Sequence, residues 1–355
     1  MHFYIHIPFC ESKCNYCAFT SLKKDNYEKS YFQALNKDIN FQLEKFNIKY
    51  NQIKTFFIGG GTPSCIDAKY YESIFKTLHP YLSQNVEISC EANPNSATLN
   101  WIKAMKNLGI NRISFGAQSF HPKKLKFLGR IHNQDTIFKA LENADKAGLK
   151  NINLDLIYDT KMDDKKMLEF ELSNLEKIKP LITHLSAYNL TIEPKTAFAK
   201  KENFKKNAPN LMKFFIQKLT HLGFFQYEIS NFSKNKNTMC KHNLSYWKGN
   251  NYIGCGLSAV GFYKNQRFYT ANNLKSYIEN PAFRNVEKLN SKNLELEHLF
   301  LGLRSIVGIQ EKKLDFKQKE KALLLLKEKK LKYEKKRYFN PNFLLSDELA
   351  LYLSS

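Results

Sequence analysis

Short β-rich runs alternate with amphipathic helical stretches through the first half of this 355-residue chain, and that alternation limits the possible folds more than any other feature. Six strand candidates follow one another: FYIHI (3–7), IKTFFI (53–58), VEISC (86–90), RISFG (112–116), NINLDLIY (151–158) and THLSAYN (183–189). After the first, Tyr27, Tyr31, Leu35, Ile39, Leu43 and Phe46 recur at spacings of three and four, which puts them on one face of a helix. Consecutive β-then-α units joined by right-handed crossovers build a parallel sheet that either stays open or curls into a barrel. The class is therefore α/β, and the length suits about two domains or one barrel-like domain with additions.

In such sheets the ligand sites lie beyond the carboxyl ends of the strands. Cys10, Cys14 and Cys17 follow the first strand, GGGTPS (59–64) the second, Glu91 the third and Gln118 the fourth, while Asp155 lies within the fifth. Polar or glycine-rich chemistry thus falls at the same end of successive strands, as it would around a one-sided active-site mouth. The first strand is expected at the edge of this barrel, delivering its cysteine loop to the mouth.

The pattern changes later in the chain. Residues 191–210 read as a loop, a helix is expected over about 209–222, and FFQYEIS (224–230) reads as a further strand. Beyond 290 come a helix at LELEHLFLGLRS, a Lys/Leu helix over about 317–329, a basic hairpin at LKYEKKRYFN and a last helix from about 346, a small α+β tail of winged-helix type. The expected organisation is a barrel over 1–230, a distinct region over 231–290 and the small α+β domain over 291–355.

Composition narrows the function classes. With 43% hydrophobic and 14% aromatic residues the chain can build a core, so it is not a disordered one. The formal charge of +22 invites a nucleic-acid partner, yet only six of the cations are arginines, the side chain favoured for phosphate and base contacts. A lysine-coated surface, with an anionic ligand or partner second, accounts for the charge better. RNA binding or modification through the basic tail Lys327–Arg337 is the least favoured class, and no nucleic-acid partner is expected. The longest apolar run, ALLLL (322–326), is far too short for a membrane span, and no signal peptide precedes the cysteines. A cytoplasmic location follows, in which the seven cysteines serve as thiols or metal ligands rather than as a disulfide framework.

Cys10, Cys14 and Cys17 form a C-x3-C-x2-C loop immediately after a strand. Buried structural thiols, a zinc ion completed by a histidine, and an iron–sulfur cluster on three thiolates are the open alternatives. Structural zinc commonly takes two C-x2-C pairs, and no second pair occurs here. A cubane on three thiolates leaves one iron open to another ligand.

The loop with its aromatic Tyr16, followed after the second strand by GGGTP, resembles the radical S-adenosylmethionine superfamily. That resemblance implies a partial (β/α)6 barrel and a [4Fe-4S] cluster on Cys10, Cys14 and Cys17, whose open iron is chelated by the amino and carboxylate groups of S-adenosylmethionine. One-electron reduction of the cluster by a donor such as a flavodoxin or ferredoxin can then cleave the sulfonium. Gly60, Gly61 and Thr62, Glu91 in EANP, Gln118 in FGAQSF, Arg130 in LGRIH and Asp155 in NLDLIY resemble the S-adenosylmethionine contacts of the superfamily's porphyrin branch, as do Tyr4 and Tyr16.

Two families of that branch share these residues: the oxygen-independent coproporphyrinogen III oxidases and a family of haem chaperones. The oxidases carry a further cysteine two positions after the third ligand and an N-terminal extension; here Phe19 holds that position and nine residues precede Cys10. CKHNLSYW (240–247) resembles the HNxxYW motif associated with haem binding in the chaperones. By residue type alone His242 is a hydrogen-bonded structural histidine. The resemblance makes His242, Tyr246 and Trp247 candidates for a haem site, with Cys240 a rival axial ligand. YEISNF (227–232) and FLGLR (300–304) extend the similarity along the chain. Two departures stand out: YDTKMDD (158–164) replaces a usual Tyr-Gly-Leu-Pro turn, and Ala18 stands where an aspartate is usual. The resemblance implies a haem chaperone that hands haem to an acceptor, of respiratory type, with radical decarboxylation of coproporphyrinogen III as the alternative.

Overall fold

The computed structural model describes residues 1–200 and 203–355. Strand β1 (His2–Ile7) leads through Pro8 into β2 (Phe9–Cys10), which pairs in parallel with β3 (Leu22–Lys23) and so closes the cysteine loop as a clip. There follow α1 (Glu28–Lys45), β4 (Ile53–Gly60), α2 (Lys69–Leu78), β5 (Leu82–Ala92), α3 (Leu99–Leu108) and β6 (Arg112–Gln118). The run continues with α4 (Pro122–Leu128), α5 (Gln134–Lys146), β7 (Asn151–Tyr158), α6 (Lys165–Ile178) and β8 (His184–Asn189). Strands β1, β4, β5, β6, β7 and β8 are neighbours in that order and pair in parallel throughout. This is the six-unit α/β arrangement that the alternation predicts.

The strands are two-sided. Phe3, Ile5, Phe56, Ile58, Ile113, Phe115, Leu154 and Leu185 are buried on the face covered by the helices and belong to one apolar core. The intervening positions, among them His6, Glu87, Ser89, Arg112, Ser114, Asn153, His184 and Ser186, are polar and equally buried. A side-chain period of two therefore gives the sheet one oily face and one polar face.

After the loop come α7 (Pro209–His221), β9 (Phe225–Gln226), β10 (Asn231–Ser233), α8 (Lys241–Trp247), β11 (Tyr252–Cys255), β12 (Val260–Tyr263), β13 (Gln266–Tyr269), α9 (Leu274–Glu279) and β14 (Asn285–Lys288). These strands extend the sheet at both ends: β10 pairs antiparallel with β8, and β11 pairs in parallel with β1, followed outward by β12, β13 and β14. Two expectations change as a result. Strand β1 lies between β4 and β11 rather than at an edge, because its second neighbour comes from about residue 252 onward. FFQYEIS is a strand only at Phe225–Gln226; the backbone then turns, with Tyr227 N donating to Asn231 O.

The last segment comprises α10 (Ser291–Leu303), β15 (Ile309–Gln310), α11 (Phe316–Lys327), β16 (Lys332–Glu334), β17 (Arg337–Phe339) and α12 (Ser346–Ser354). Its three strands form their own sheet in the order β15-β17-β16, and its core is a separate cluster that includes Leu299, Leu303, Ile309 and Leu349.

The joint between the two cores holds an unusual carboxyl group. Glu228 is buried, bridges to Ser305, receives Ser230 N at 3.2 Å and leaves Oε1 without a partner among the described residues. Burial raises its pKa from 4.5 to about 7. The folded protein thus holds this proton more tightly than the unfolded chain. The stability contributed is full below about pH 4.5 and is lost as pH rises through about 7. Glu228→Gln, which cannot ionise, is expected to flatten that part of the decline and to be more stable than the parent at pH 8, by on the order of 2–3 kcal/mol. Urea unfolding at several pH values between 5 and 8 checks this; identical pH profiles in the two proteins would refute it.

Candidate functional site

The cysteine loop is held mainly by backbone atoms. Thr62 N donates to Phe9 O at 2.7 Å, Gly61 N to Ile7 O at 2.7 Å, and Lys24 N to Cys10 O at 3.1 Å. On the far side Asn15 N donates to Leu128 O at 3.1 Å, and its side-chain amide to Phe127 O at 2.9 Å. Gly61 is required by close approach: a Cβ there would lie 2.7 Å from Phe9 O and 3.0 Å from Cys10 Sγ. At Gly60 φ is +117°, a conformation that disfavours any side chain, and a Cβ would collide with the His6 ring. The GGG turn is thus cut to fit against the first strand and its loop.

Helix α4 supplies the other side of the mouth. Lys124 is fully buried, 2.6 Å from Asp163 and 3.7 Å from Glu171, and Glu171 also accepts Phe120 N at 2.8 Å. The helix ends on Gly129 in the left-handed conformation, which turns Arg130 inward. The Arg130 guanidinium donates to Cys14 Sγ at 3.2 Å, to Asn93 Oδ1 and to Gly116 O. One cation thereby ties the cysteine loop to the ends of β5 and β6.

These elements surround a cavity of about 380 Å³. Cys10, Cys14 and Cys17, together with Tyr16, form one side; Gly60, Gly61, Thr62, Glu91, Gln118, Arg130 and Asp155 form the rest. The three sulfurs do not converge on a point: among the described residues, no three His, Cys, Asp or Glu side chains close around a single ion. They stand instead about a space. Glu91 receives Gly60 N at 2.9 Å, and burial raises its pKa to about 7. Asp155 is also pushed up by burial, and it accepts from the Asn153 amide at 2.7 Å. Gln118, at φ +68° beside a register shift in β6, presents a buried Oε1 that has no partner among the described residues. Two acids raised by burial, an orphaned acceptor and one fixed guanidinium suit a ligand that carries both a positive charge and a carboxylate. The donor set therefore fits S-adenosylmethionine, and three free thiols at the same mouth fit the cluster.

Tyr4 is not in this cavity. Its hydroxyl meets His6 Nδ1 at 3.0 Å, and it lines a second cavity of about 730 Å³ together with Tyr246 and Trp247. Phe19 lines both cavities and is 69% exposed between them.

His242 differs from expectation as well. The CKHNLSYW segment forms α8, whose first backbone N–H groups are capped by Glu87 of β5, at 2.9 Å from Lys241 N and 3.0 Å from His242 N. His242 is 1% exposed. Its Nδ1 meets Thr55 Oγ1 at 2.7 Å, its Nε2 meets the Tyr246 hydroxyl at 2.8 Å, and its ring stacks on Phe57. Burial lowers its pKa to about 3, so the ring is neutral. Both nitrogens are engaged, and neither faces the second cavity. Cys240 is fully buried, with its Sγ against Glu87. Neither rival axial ligand reaches a haem-sized space in this conformation, whereas Tyr246 and Trp247 do.

Several site residues escape a sequence reading. Asn93, Ser114, Tyr188 and Asn189 line the first cavity. Ser114 and Tyr188 could have been found by counting in twos from Gly116 and Ser186 along their strands. Asn93 lies two positions after Glu91 in EANP, an equally available signal.

Residues 4–170 match the profile of the radical SAM superfamily. A Bacillus subtilis protein named "Heme chaperone HemW" is 32% identical over 326 residues, which is 87% of this chain and 85% of that protein. The Escherichia coli protein of the same name is 38% identical over 73% of this chain and 69% of its own length. The chain belongs to the HemW family. Among solved structures, the E. coli coproporphyrinogen III oxidase superposes with a TM-score of 0.81 over 99% of this chain and 89% of its own, at 20% identity. That likeness shows a shared fold. HemW relatives thus align across most of the chain, and the radical SAM match covers five of the strands that carry the first cavity, β1 and β4 to β7, but not β8.

A methyl group at Gly61 has no room beside Phe9 O and Cys10 Sγ. Gly61→Ala is expected to cost roughly 1–3 kcal/mol and to displace the Cys10 loop. Thermal unfolding together with the rate of thiol labelling at Cys10 measures both effects; parental values for both would show that the turn tolerates a side chain.

Proposed function

We propose that the protein binds haem as cargo and passes it to an acceptor haemoprotein, of respiratory type, while holding a [4Fe-4S] cluster on Cys10, Cys14 and Cys17 and S-adenosylmethionine in the adjoining cavity. The observation that carries this is the pairing of two cavities across Phe19: one surrounded by three thiols and zwitterion-binding groups, the other lined by Tyr4, Tyr246 and Trp247. The HemW relatives support the haem half of the reading through their name. A bound cluster supplies one-electron chemistry toward S-adenosylmethionine, with the electron coming from a donor such as a flavodoxin or ferredoxin.

The chain's own residues have separable tasks in this scheme. Arg130 holds the cysteine loop against β5 and β6 and keeps a positive charge beside Cys14. Glu91, with a pKa near 7, takes an amino group, and a cation there draws its proton off. Gly60 and Gly61 allow the backbone to come close, and Thr62, Gln118 and Asp155 offer hydrogen-bonding groups to the rest of the molecule. Tyr246 and Trp247 give flat faces for a macrocycle. His242 is a positioning residue that orients the Tyr246 hydroxyl.

Haemin titration followed by absorbance tests this reading. Trp247→Ala is expected to weaken binding by about tenfold, whereas Cys10→Ala is expected to lose iron and sulfide on anaerobic reconstitution and keep its haemin affinity. Unchanged binding in Trp247→Ala would remove the haem site from α8. Conversion of coproporphyrinogen III by the reconstituted protein, given a reductant and S-adenosylmethionine, would replace cargo binding with oxidative decarboxylation.

A further inference from the structure

The second cavity has a wall that the HNxxYW segment does not supply. On one side stand Tyr246 and Trp247 of α8 with Tyr252 and Phe262 of β11 and β12. The cavity is also lined by α10 of the small C-terminal unit, which presents Leu294, Glu297, His298 and Leu301. Those four recur at i, i+3, i+4 and i+7, so they are a single stripe of the helix. Lys313, from the turn that follows β15, completes that wall.

The charge of the lining is lopsided. Lys248, Lys264, Arg267 and Lys313 reach it, against one carboxylate, Glu297, which is already paired with Arg267. Among the described residues, Lys248, Lys264 and Lys313 have no carboxylate partner. His298 adds a neutral donor: its Nε2 accepts Gln310 N at 3.1 Å, which leaves the ring proton on Nδ1. Aromatic faces in one half and unpaired cations at the rim describe a site for a flat, apolar body bearing anionic arms.

We infer that the C-terminal unit is the second jaw of the haem seat. Its α10 stripe covers the macrocycle from the side opposite Tyr246 and Trp247, and Lys313 and Lys264 bind the propionate carboxylates. This rests on the haem reading above and deepens it. It assigns the C-terminal unit a direct part in holding the cargo, and it makes the two carboxylates, rather than the iron, the groups that this wall recognises.

The test compares haemin with haemin dimethyl ester, which keeps the iron and the ring and loses both negative charges, on the full-length protein. Lys313→Glu and Lys264→Glu are each expected to weaken haemin binding by about tenfold while leaving ester binding within twofold. Retained ester binding also shows that the variants are folded. Parental haemin affinity in both variants would overturn the inference, as would an equal loss for haemin and ester, since neither outcome reads the carboxylates. If the parent protein binds neither compound, the haem reading itself fails, and the jaw with it.

Discussion

Everything at the mouth of this barrel depends on the two-residue period of its parallel strands. One set of side chains is apolar and sits under the helices; the other is polar and is enclosed just as completely. Enclosed polar groups are costly unless they pair, and here most of them pair with one another, although Ser89 Oγ and Arg112 Nε find no partner among the described residues. His184 meets Asn153 Oδ1 and the Tyr227 hydroxyl, the Asn153 amide reaches Ser114 and Asp155, and Glu87 caps α8. Helix α8 covers the network near the amino-terminal ends of the strands. Toward the carboxyl ends it runs out of internal partners. Glu91, Gln118 and Asp155 stand there, with their needs only partly met, around an open space.

The same contrast separates His242 from Tyr246 and Trp247, the three haem-site candidates of α8. A side chain aimed into the barrel at the level of Thr55 and Glu87 is locked by its neighbours, as His242 is. A side chain one helical turn further along α8, at Tyr246 or Trp247, emerges between the sheet extension and α10. Helix geometry thus converts one short motif into a structural plug and a cavity wall.

Much of this was legible in the residues. The six strands follow from β-rich runs between breakers, and the clustering of Cys10, Gly60, Glu91, Gln118 and Asp155 follows from the rule that parallel strands carry their chemistry at one end. What could not be read was long-range pairing. Nothing in FYIHI tells that Tyr252–Cys255 will lie beside it, and the alternation around Phe224–Ser230 does not reveal a turn at the joint with Ser305. The engagement of both His242 nitrogens is likewise invisible, because Thr55 becomes a partner only after α8 docks on β4, although Tyr246 is its i+4 neighbour on the same helix. The α10 stripe looks like ordinary core spacing until the wall opposite it is known.

The interior position of β1 has a consequence for how the molecule is made. One side of this strand pairs with β4 and the other with β11, whose residues come some 250 positions later. As the chain leaves the ribosome, β1 can find its first neighbour early, while its other rank of backbone donors and acceptors waits until β11 has been synthesised. Strand β1 is therefore made long before it is fully enclosed. The sulfur-bearing loop that β1 carries spends the interval attached to an unfinished edge, a time when a half-built sheet is open to pairing with other chains.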